Sequence, residues 1–438
     1  MAELKYEYRL LESGDIEVVK VIGNVSELIV PPSIDGYRIS GIASFAFVKL
    51  KEVTKITISE GISDINDTAF GYCDRLTSLI IPNSIKSADF VSSLHFGKNI
   101  SIELSSDHPT LEVKEGVLFS KTNHCLLYYP EWKNDTEYVV PNGTMIIGNR
   151  AFAGNEVLTD IICPDSIDVI GKSAFSGCIN IQRIRLPDNI KSIGDSAFCD
   201  CWSLKDFNIP NGIQYITDGM MFKCYSITSV EIPNTVIKIG EYAFRNCKSL
   251  QRVALPQSLL SIECGAFSGC DKITDIVIPE NLTEEGFLQG FASCDSLFSI
   301  SVTSANETMR SDNGVLFDNH QQRLIFYPRS KTEKEYIIPA QTLSISDRAF
   351  YGCKKIKNVI INQGMKIIGN QAFSNCYSLE NVFIPDSVTE IGKEAFHSIR
   401  WFDRERDCHP IGFLTLIVIQ GSYAEEYAKS HSIKYRYL

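Results

Sequence analysis

The chain has 438 residues, of which 44% are hydrophobic and 22% charged, the composition of an ordinary folded protein. Its 53 acidic and 42 basic side chains leave a formal charge of −11, which argues against a nucleic-acid backbone or an anionic membrane surface as the main partner. No uninterrupted apolar run approaches the ~18 residues of a membrane-spanning helix. The opening MAELKYEYRL has no apolar core of a signal peptide, so none is expected.

In chain order, residues 1–29 read as a cap. KYEYRL and DIEVVKVIG alternate apolar and polar residues around Ser13-Gly14-Asp15, which predicts a hairpin. Residues 30–104 form a first repeat block, marked by Phe47 and Phe70, 23 positions apart, and by Cys73. Residues 83–104 are a degraded copy in which Phe90 and Phe96 compete for the aromatic slot. Residues 105–145 carry a hairpin insertion, Gly116 to Phe119 and Cys125 to Pro130 around a turn.

The central block, 146–302, shows the period most clearly. Cys178, Cys201, Cys224, Cys247 and Cys270 are each 23 apart, as are Pro187, Pro210, Pro233, Pro256 and Pro279. Phe175, Phe198, Met221, Phe244 and Phe267 form a third column; Phe291 follows one residue late, predicting a bulge or lengthened turn. A fixed period of about 20–30 residues means a solenoid. Residues 303–343 hold a second hairpin insertion, Gly314 to Phe317 and Leu324 to Pro328, displaced by 198 from the first (314 − 116 and 328 − 130). Residues 344–400 are a third block with Phe350, Phe373 and Phe396. In the C-terminal cap, 401–438, Arg400 to Pro410 reads as a surface loop, followed by a strand at 413–419. Ser422 then caps a short helix with Glu425 and Glu426 in its first turn and Lys429 near its end.

Within one repeat, Ile184 and Leu186 face inward and Arg183 and Arg185 outward by the strand period of two. Pro187 stops the strand, Gly194 is expected to allow a tight bend, and Ala197-Phe198 fills the core. The expected fold is a β-rich right-handed repeat solenoid. A parallel sheet lies on one face and short helical turns on the other, with two hairpin insertions and terminal caps. Nine cysteines (Cys73, Cys178, Cys201, Cys224, Cys247, Cys270, Cys294, Cys353, Cys376) share one repeat position. They are expected to be free and buried, because parallel side-chain vectors suit packing better than disulfide geometry.

The stretches Ile170-Gly171-Lys-Ser-Ala174-Phe175-Ser-Gly-Cys178 and Ile368-Gly369-Asn-Gln-Ala372-Phe373-Ser-Asn-Cys376 resemble the BspA-like (Treponema-type) leucine-rich repeat family. The GVLF…YP insertions and the closing GSYAEEYAKS are similar to that family too. The resemblance implies a surface or secreted protein that works in adhesion and protein binding, without shared catalytic residues.

No phosphate-binding, dinucleotide or metalloprotease motif occurs, and the seven histidines are scattered in sequence. Cys199-Asp200-Cys201 and Cys408-His409 are the only metal-like fragments, and both read as structural. No catalytic residue, cofactor or metal is expected. The candidate partner-binding residues are outward strand positions: Asp160, Arg183, Arg185, Asp206, Asn208, Glu231, Arg252 and Asp275. In-register strands would set Asp160, Arg183 and Asp206 side by side, and likewise Arg252 and Asp275. Such rows serve either as cross-strand charge pairs or as a polar recognition strip. A second candidate is the outward apolar set Ile80, Ile360 and Phe383. The expected partner is a protein or glycoprotein, with no nucleic acid and no membrane insertion. The chain is expected to be a monomer or to self-associate weakly; the alternative is a structural, self-associating repeat protein.

Overall fold

A computed structural model describes residues 4–94, 100–291, 293–400 and 407–438. The chain is a β-solenoid whose repeats stack strand on strand. It divides into two compact units, Met1–Ile227 with Ile239–Lys248, and Thr228–Lys238 with Ser249–Leu438.

In the first unit, Lys5–Leu10 and Ile16–Ile22 form an antiparallel hairpin, and the second strand continues in parallel onto Tyr37–Ile42. A parallel ladder of Glu27–Val30, Lys55–Ile58, Ser78–Ile81 and Ser101–Leu104 follows. Leu111–Lys114, Val117–Ser120 and Cys125–Tyr128 then make an antiparallel trio. Its last strand carries a parallel run of dipeptides, Ile146–Ile147, Val169–Ile170 and Ser192–Ile193. The outward ladder is Glu137–Val139, Asp160–Ile162 and Arg183–Arg185.

The second unit repeats this plan. Met309–Asp312, Val315–Asp318 and Arg323–Phe326 run antiparallel, and Ser344–Ile345, Ile367–Ile368 and Glu390–Ile391 add in parallel. Glu335–Ile337, Asn358–Ile360, Asn381–Ile384, Thr415–Val418 and Tyr435–Tyr437 form its outward sheet.

Each repeat is tied to the next at three places, where the sequence pointed to one sheet. The outward strand and the Ile-Gly dipeptide each form a ladder. The third tie is the Ala-Phe corner: Phe152 N–H donates to Ala174 O and Phe175 N–H to Ala197 O, both at 2.8 Å. The expected helical turns are there as i→i+3 turns, such as Ala153 N–H to Arg150 O at 2.9 Å, but they also bond from repeat to repeat.

This corner needs backbone that L-residues rarely adopt. The residue before Ala-Phe has positive φ in repeat after repeat (Arg150 55°, Ser173 53°, Ser196 55°, Gln371 53°), as does the residue before the column cysteine (Gly177 77°, Asp200 58°, Asn375 60°). The enrichment of Gly, Asn and Asp at the second position fits the left-handed region. Gly194 plays a different part from the bend expected of it. Its φ is not in the left-handed range, and an added Cβ would stand 2.5 Å from the Lys172 backbone N of the previous repeat. The glycine is there because two backbones meet.

The aromatic column stacks face to face, with centroids 5.0 Å apart for Phe152–Phe175 and 5.4 Å for Phe175–Phe198. In the second unit, Phe350–Phe373 and Phe373–Phe396 stand at 4.7 and 5.2 Å. In-register ladders leave identical rings no other arrangement, since adjacent strands lie about 4.8 Å apart. Phe90 continues the column below Phe70, its ring tilted with centroids 5.5 Å apart, and Phe96 lies outside the described residues. The column thiols are free and buried. The thiols donate to the carbonyl of the residue that fills the core slot one repeat back: Cys178 to Phe152 O at 3.0 Å, Cys201 to Phe175 O at 3.2 Å, Cys247 to Met221 O at 3.2 Å, and Cys376 to Phe350 O at 2.9 Å. That carbonyl already accepts the backbone N–H three residues on, so the thiol uses its second lone pair.

Two segments differ from expectation. The late Phe291 follows from a helix, Glu284–Phe291, in place of the dipeptide strand, and Phe291 still stacks on Phe267 at 4.6 Å. The Arg400–Pro410 stretch is not simply a loop. His397–Arg400 pairs antiparallel with Asp407–Pro410, and residues 401–406 lie outside the described residues. Ser422 does cap Tyr423–Ser430, accepting the Glu425 N–H at 3.3 Å.

His108 is buried at the turn into the antiparallel trio. Its Nδ1 accepts the Leu111 N–H at 3.1 Å, so the proton sits on Nε2, facing Pro82 O at 3.1 Å. Asn306, 198 positions on, makes the same bonds: Nδ2 to Pro279 O at 3.0 Å, and Met309 N–H to Oδ1 at 2.9 Å. Burial depresses the His108 pKa from its ordinary 6.5, outweighing the Pro82 carbonyl that favours protonation.

Two outcomes are expected. Gly177→Ala, which gains no close contact, costs about 1 kcal/mol for its left-handed φ. Gly171→Ala, whose Cβ would lie 2.6 Å from the Asn149 backbone N, costs about 2–3 kcal/mol by overpacking. Urea melts of the two variants would give the order. His108 adds a pH dependence. The unfolded state takes up the His108 proton before the folded state does as pH falls through 6.5, so the stability tied to neutral His108 is full above that value and is lost progressively below it. His108→Asn should therefore lose less melting temperature than the parent between about pH 7 and about pH 5; equal losses would show that His108 takes up its proton alike in the folded and unfolded chains.

Candidate partner-binding face

Outward strand side chains contribute little to the core, so their chemistry is available to a partner. In the first unit, the ladder sets Asp160 opposite Arg183 and Ile162 opposite Arg185, and an isolated bridge places Asp206 beside Arg183. Arg183 Nε donates to Asp160 Oδ1 at 2.6 Å. Partial burial pushes the Asp160 carboxyl up, but the bonds from Arg183 and Thr159 prevail and hold it below the usual carboxylate range. Arg183 is thus engaged within the sheet. Arg185 is exposed and forms no ion pair among the described residues; Asp206 and Asn208 are also exposed.

In the second unit, Glu231, Arg252 and Asp275 are exposed, as expected of outward positions. The expected neighbours Arg252 and Asp275 are not ladder partners, because their strands belong to two separate two-stranded sheets. Arg252 lies opposite Ser229, Asp275 lies opposite Ser299, and Asp275 Oδ2 accepts the Thr274 hydroxyl at 2.7 Å. Arg252 and Asp275 form no ion pair among the described residues.

The apolar outward set is half-buried at Ile80, Ile360 and Phe383. Ile360 lies opposite Phe383 and Phe383 opposite Ile417, with Arg436 next in the same row. Sequence rows missed Ile417 and Arg436 because the 397–410 hairpin and the terminal helix break the period. A helix followed by a short strand with alternating Tyr435 and Tyr437 was the available signal.

A separate polar cavity of about 790 Å³ opens beside the antiparallel trio of the first unit. Several of its charges are already engaged: Lys114 with Glu112 at 2.7 Å, Asp168 with Lys191 at 2.8 Å, and Lys121 on the His108 carbonyl at 2.7 Å. Among the described residues, no group of three or more His, Cys, Asp or Glu is arranged to hold a metal ion. Burial pushes Cys125 and Cys163 up to about 12 and raises the thiols of Cys178, Cys201 and Cys224, so these sulfurs offer no thiolate. Cys199 bonds to its neighbour Asp200 at 3.3 Å, consistent with the structural reading of Cys199-Asp200-Cys201. The described helices include none long and apolar enough to cross a membrane.

The family profile described as "BspA type Leucine rich repeat region (6 copies)" matches residues 27–115, 128–229, 219–321 and 323–403. The chain belongs to the BspA-type leucine-rich repeat family. Among solved structures, a leucine rich cell surface protein from Faecalibacterium prausnitzii is 25% identical, with a TM-score of 0.52. The similarity covers 74% of this chain and 98% of that one. A leucine-rich repeat protein from Bacteroides ovatus is 20% identical over 100% of this chain and 99% of that one, with a TM-score of 0.48. No curated protein sequence matches. The BspA-type repeat accounts for the columns of the solenoid and leaves the outward positions free to vary.

The Asp160–Arg183 pair is exposed enough to be weak. A double-mutant cycle with Asp160→Ala and Arg183→Ala should return a coupling of about 0.2–1 kcal/mol. A coupling several times larger would make the pair a structural clamp.

Proposed function

We propose that this BspA-type repeat protein is a non-catalytic scaffold that holds a protein or glycoprotein partner on its outward strand face, at a cell surface. The observation that carries the reading is Arg185. It is an exposed cation without an ion-pair partner among the described residues, set opposite Ile162 on a ladder that fixes its backbone. Arginines in such settings are favoured anchors in protein interfaces. The surface location rests on the family and on the description of the F. prausnitzii structure as a cell surface protein.

Arg185→Glu should abolish or strongly weaken binding to a chip panel of purified extracellular proteins and glycoproteins, with an unchanged melting temperature. Arg183→Glu should do less to binding and lower the melting temperature slightly, because it opposes Asp160. Binding that survives both substitutions would refute the reading. A second reading, self-association, is favoured by exposed apolar side chains on first strands of the outward ladders: Ile29 67%, Val139 58% and Ile337 62% exposed. A strict monomer by light scattering across a wide concentration range would eliminate it.

A further inference from the structure

The outward sheet of the second unit differs in chemistry from its counterpart in the first. At positions related by 198, Asp160, Arg183 and Arg185 are replaced by Asn358, Asn381 and Phe383. The backbone ladder is the same, Asn358 opposite Asn381 and Ile360 opposite Phe383. The charged strip has become a cleft of about 400 Å³ floored by Ile360, Phe383 and Ile417.

Three features of the cleft point to one kind of ligand. Asn381 Nδ2 donates to Asn358 Oδ1 at 2.9 Å, which leaves the Asn358 amide N–H groups and the Asn381 carbonyl without a protein partner among the described residues. A donor and an acceptor one strand apart can engage the main chain of an extended peptide. The floor is apolar and only half-buried, so covering it releases water. The two ends carry opposite charges, Glu335 on the first strand and Arg436 on the last, neither in an ion pair among the described residues. Four interstrand steps separate those strands, about 19 Å at about 4.8 Å each, the length of roughly six extended residues.

We propose that this cleft binds an extended peptide of about six residues, laid across the strands. Its basic residue would meet Glu335, apolar side chains would cover Ile360, Phe383 and Ile417, and an acidic residue would meet Arg436. The inference rests on the strand face being the binding face, and it assigns that face a ligand class and a direction. A second copy of the chain is a poorer occupant. Two such sheets set face to face would place cleft against cleft and leave both floors unfilled.

The test uses the full chain and a fluorescein-labelled synthetic peptide with blocked ends, in which lysine and glutamate bracket alternating leucine and serine. Fluorescence anisotropy should show saturable binding. Arg436→Glu and, separately, Glu335→Lys should each weaken it about tenfold or more, as expected for loss of one charge contact. Replacing the peptide's glutamate with lysine should restore binding to the Arg436→Glu chain. The Arg185→Glu chain, altered in the other unit, should bind the peptide like the parent. The proposal is overturned if the peptide does not bind, or if a peptide with both charges replaced by glutamine binds equally well. It is also overturned if sedimentation shows a dimer that Arg436→Glu dissolves. Failure here with Arg185 still required on the protein panel would remove only this inference; loss of both would remove the binding reading itself.

Discussion

The structure depends on how closely two successive repeats approach at the Ile-Gly dipeptide. At Gly171, Gly194, Gly369 and Gly392 an added Cβ would fall 2.5–2.6 Å from a backbone nitrogen of the preceding repeat. That approach sets the register of the dipeptide ladder. It also lets a side-chain oxygen on the neighbouring residue cap the next repeat: Asn149 Oδ1 accepts the Lys172 N–H and Asp347 Oδ1 the Asn370 N–H, at 2.8 and 2.7 Å. Once this corner is fixed, the phenylalanines have to stack and the thiols have to meet the carbonyls behind them. A residue larger than glycine there would disturb the other two ties as well as its own.

The duplication separates what the fold requires from what it tolerates. Tyr129 and Tyr327 each receive an edge-on tyrosine, Tyr138 at 4.6 Å and Tyr336 at 4.9 Å, and each stacks on the first phenylalanine of the next block. Lys133 and Lys331 both donate to a turn carbonyl, Glu115 O at 3.1 Å and Asn313 O at 2.8 Å. His108 and Asn306 differ in chemistry yet satisfy the same backbone groups. What the duplication keeps is the set of bonds. The outward residues, which make few such bonds, have diverged from charged to neutral, Asp160 and Arg183 to asparagines and Arg185 to a phenylalanine.

Columns of Phe, Cys, Pro and Gly made the repeat legible, because each is a one-residue solution to a packing problem that recurs every 23 positions. The Ala-Phe ladder was not legible. Its positive φ falls on Arg150, Ser173 and Gln371, residues that carry no conformational signature of their own. The helix at Glu284–Phe291 announced itself only as a one-residue delay. On the candidate face, period-two alternation placed Asp160 and Arg183 correctly, since their strands are adjacent and in register. It could not foresee that Asp275 would turn to Thr274, a choice made by side-chain rotamers. Nor could it place Arg436, whose neighbours lie across an insertion and a helix.

The thiol column bears on where such a chain can survive. The column sulfurs sit between repeats, and those of Cys178, Cys201 and Cys224 are fully enclosed with their hydrogens committed to carbonyls. Oxidants act on thiolate that solvent can reach. The folded column therefore presents almost no target, and the hazard is confined to the interval in which a newly made chain has not yet stacked its repeats. Survival in an oxidising medium becomes a race between repeat-by-repeat closure and thiol chemistry, decided by folding rate and not by the redox potential of the finished protein's surroundings.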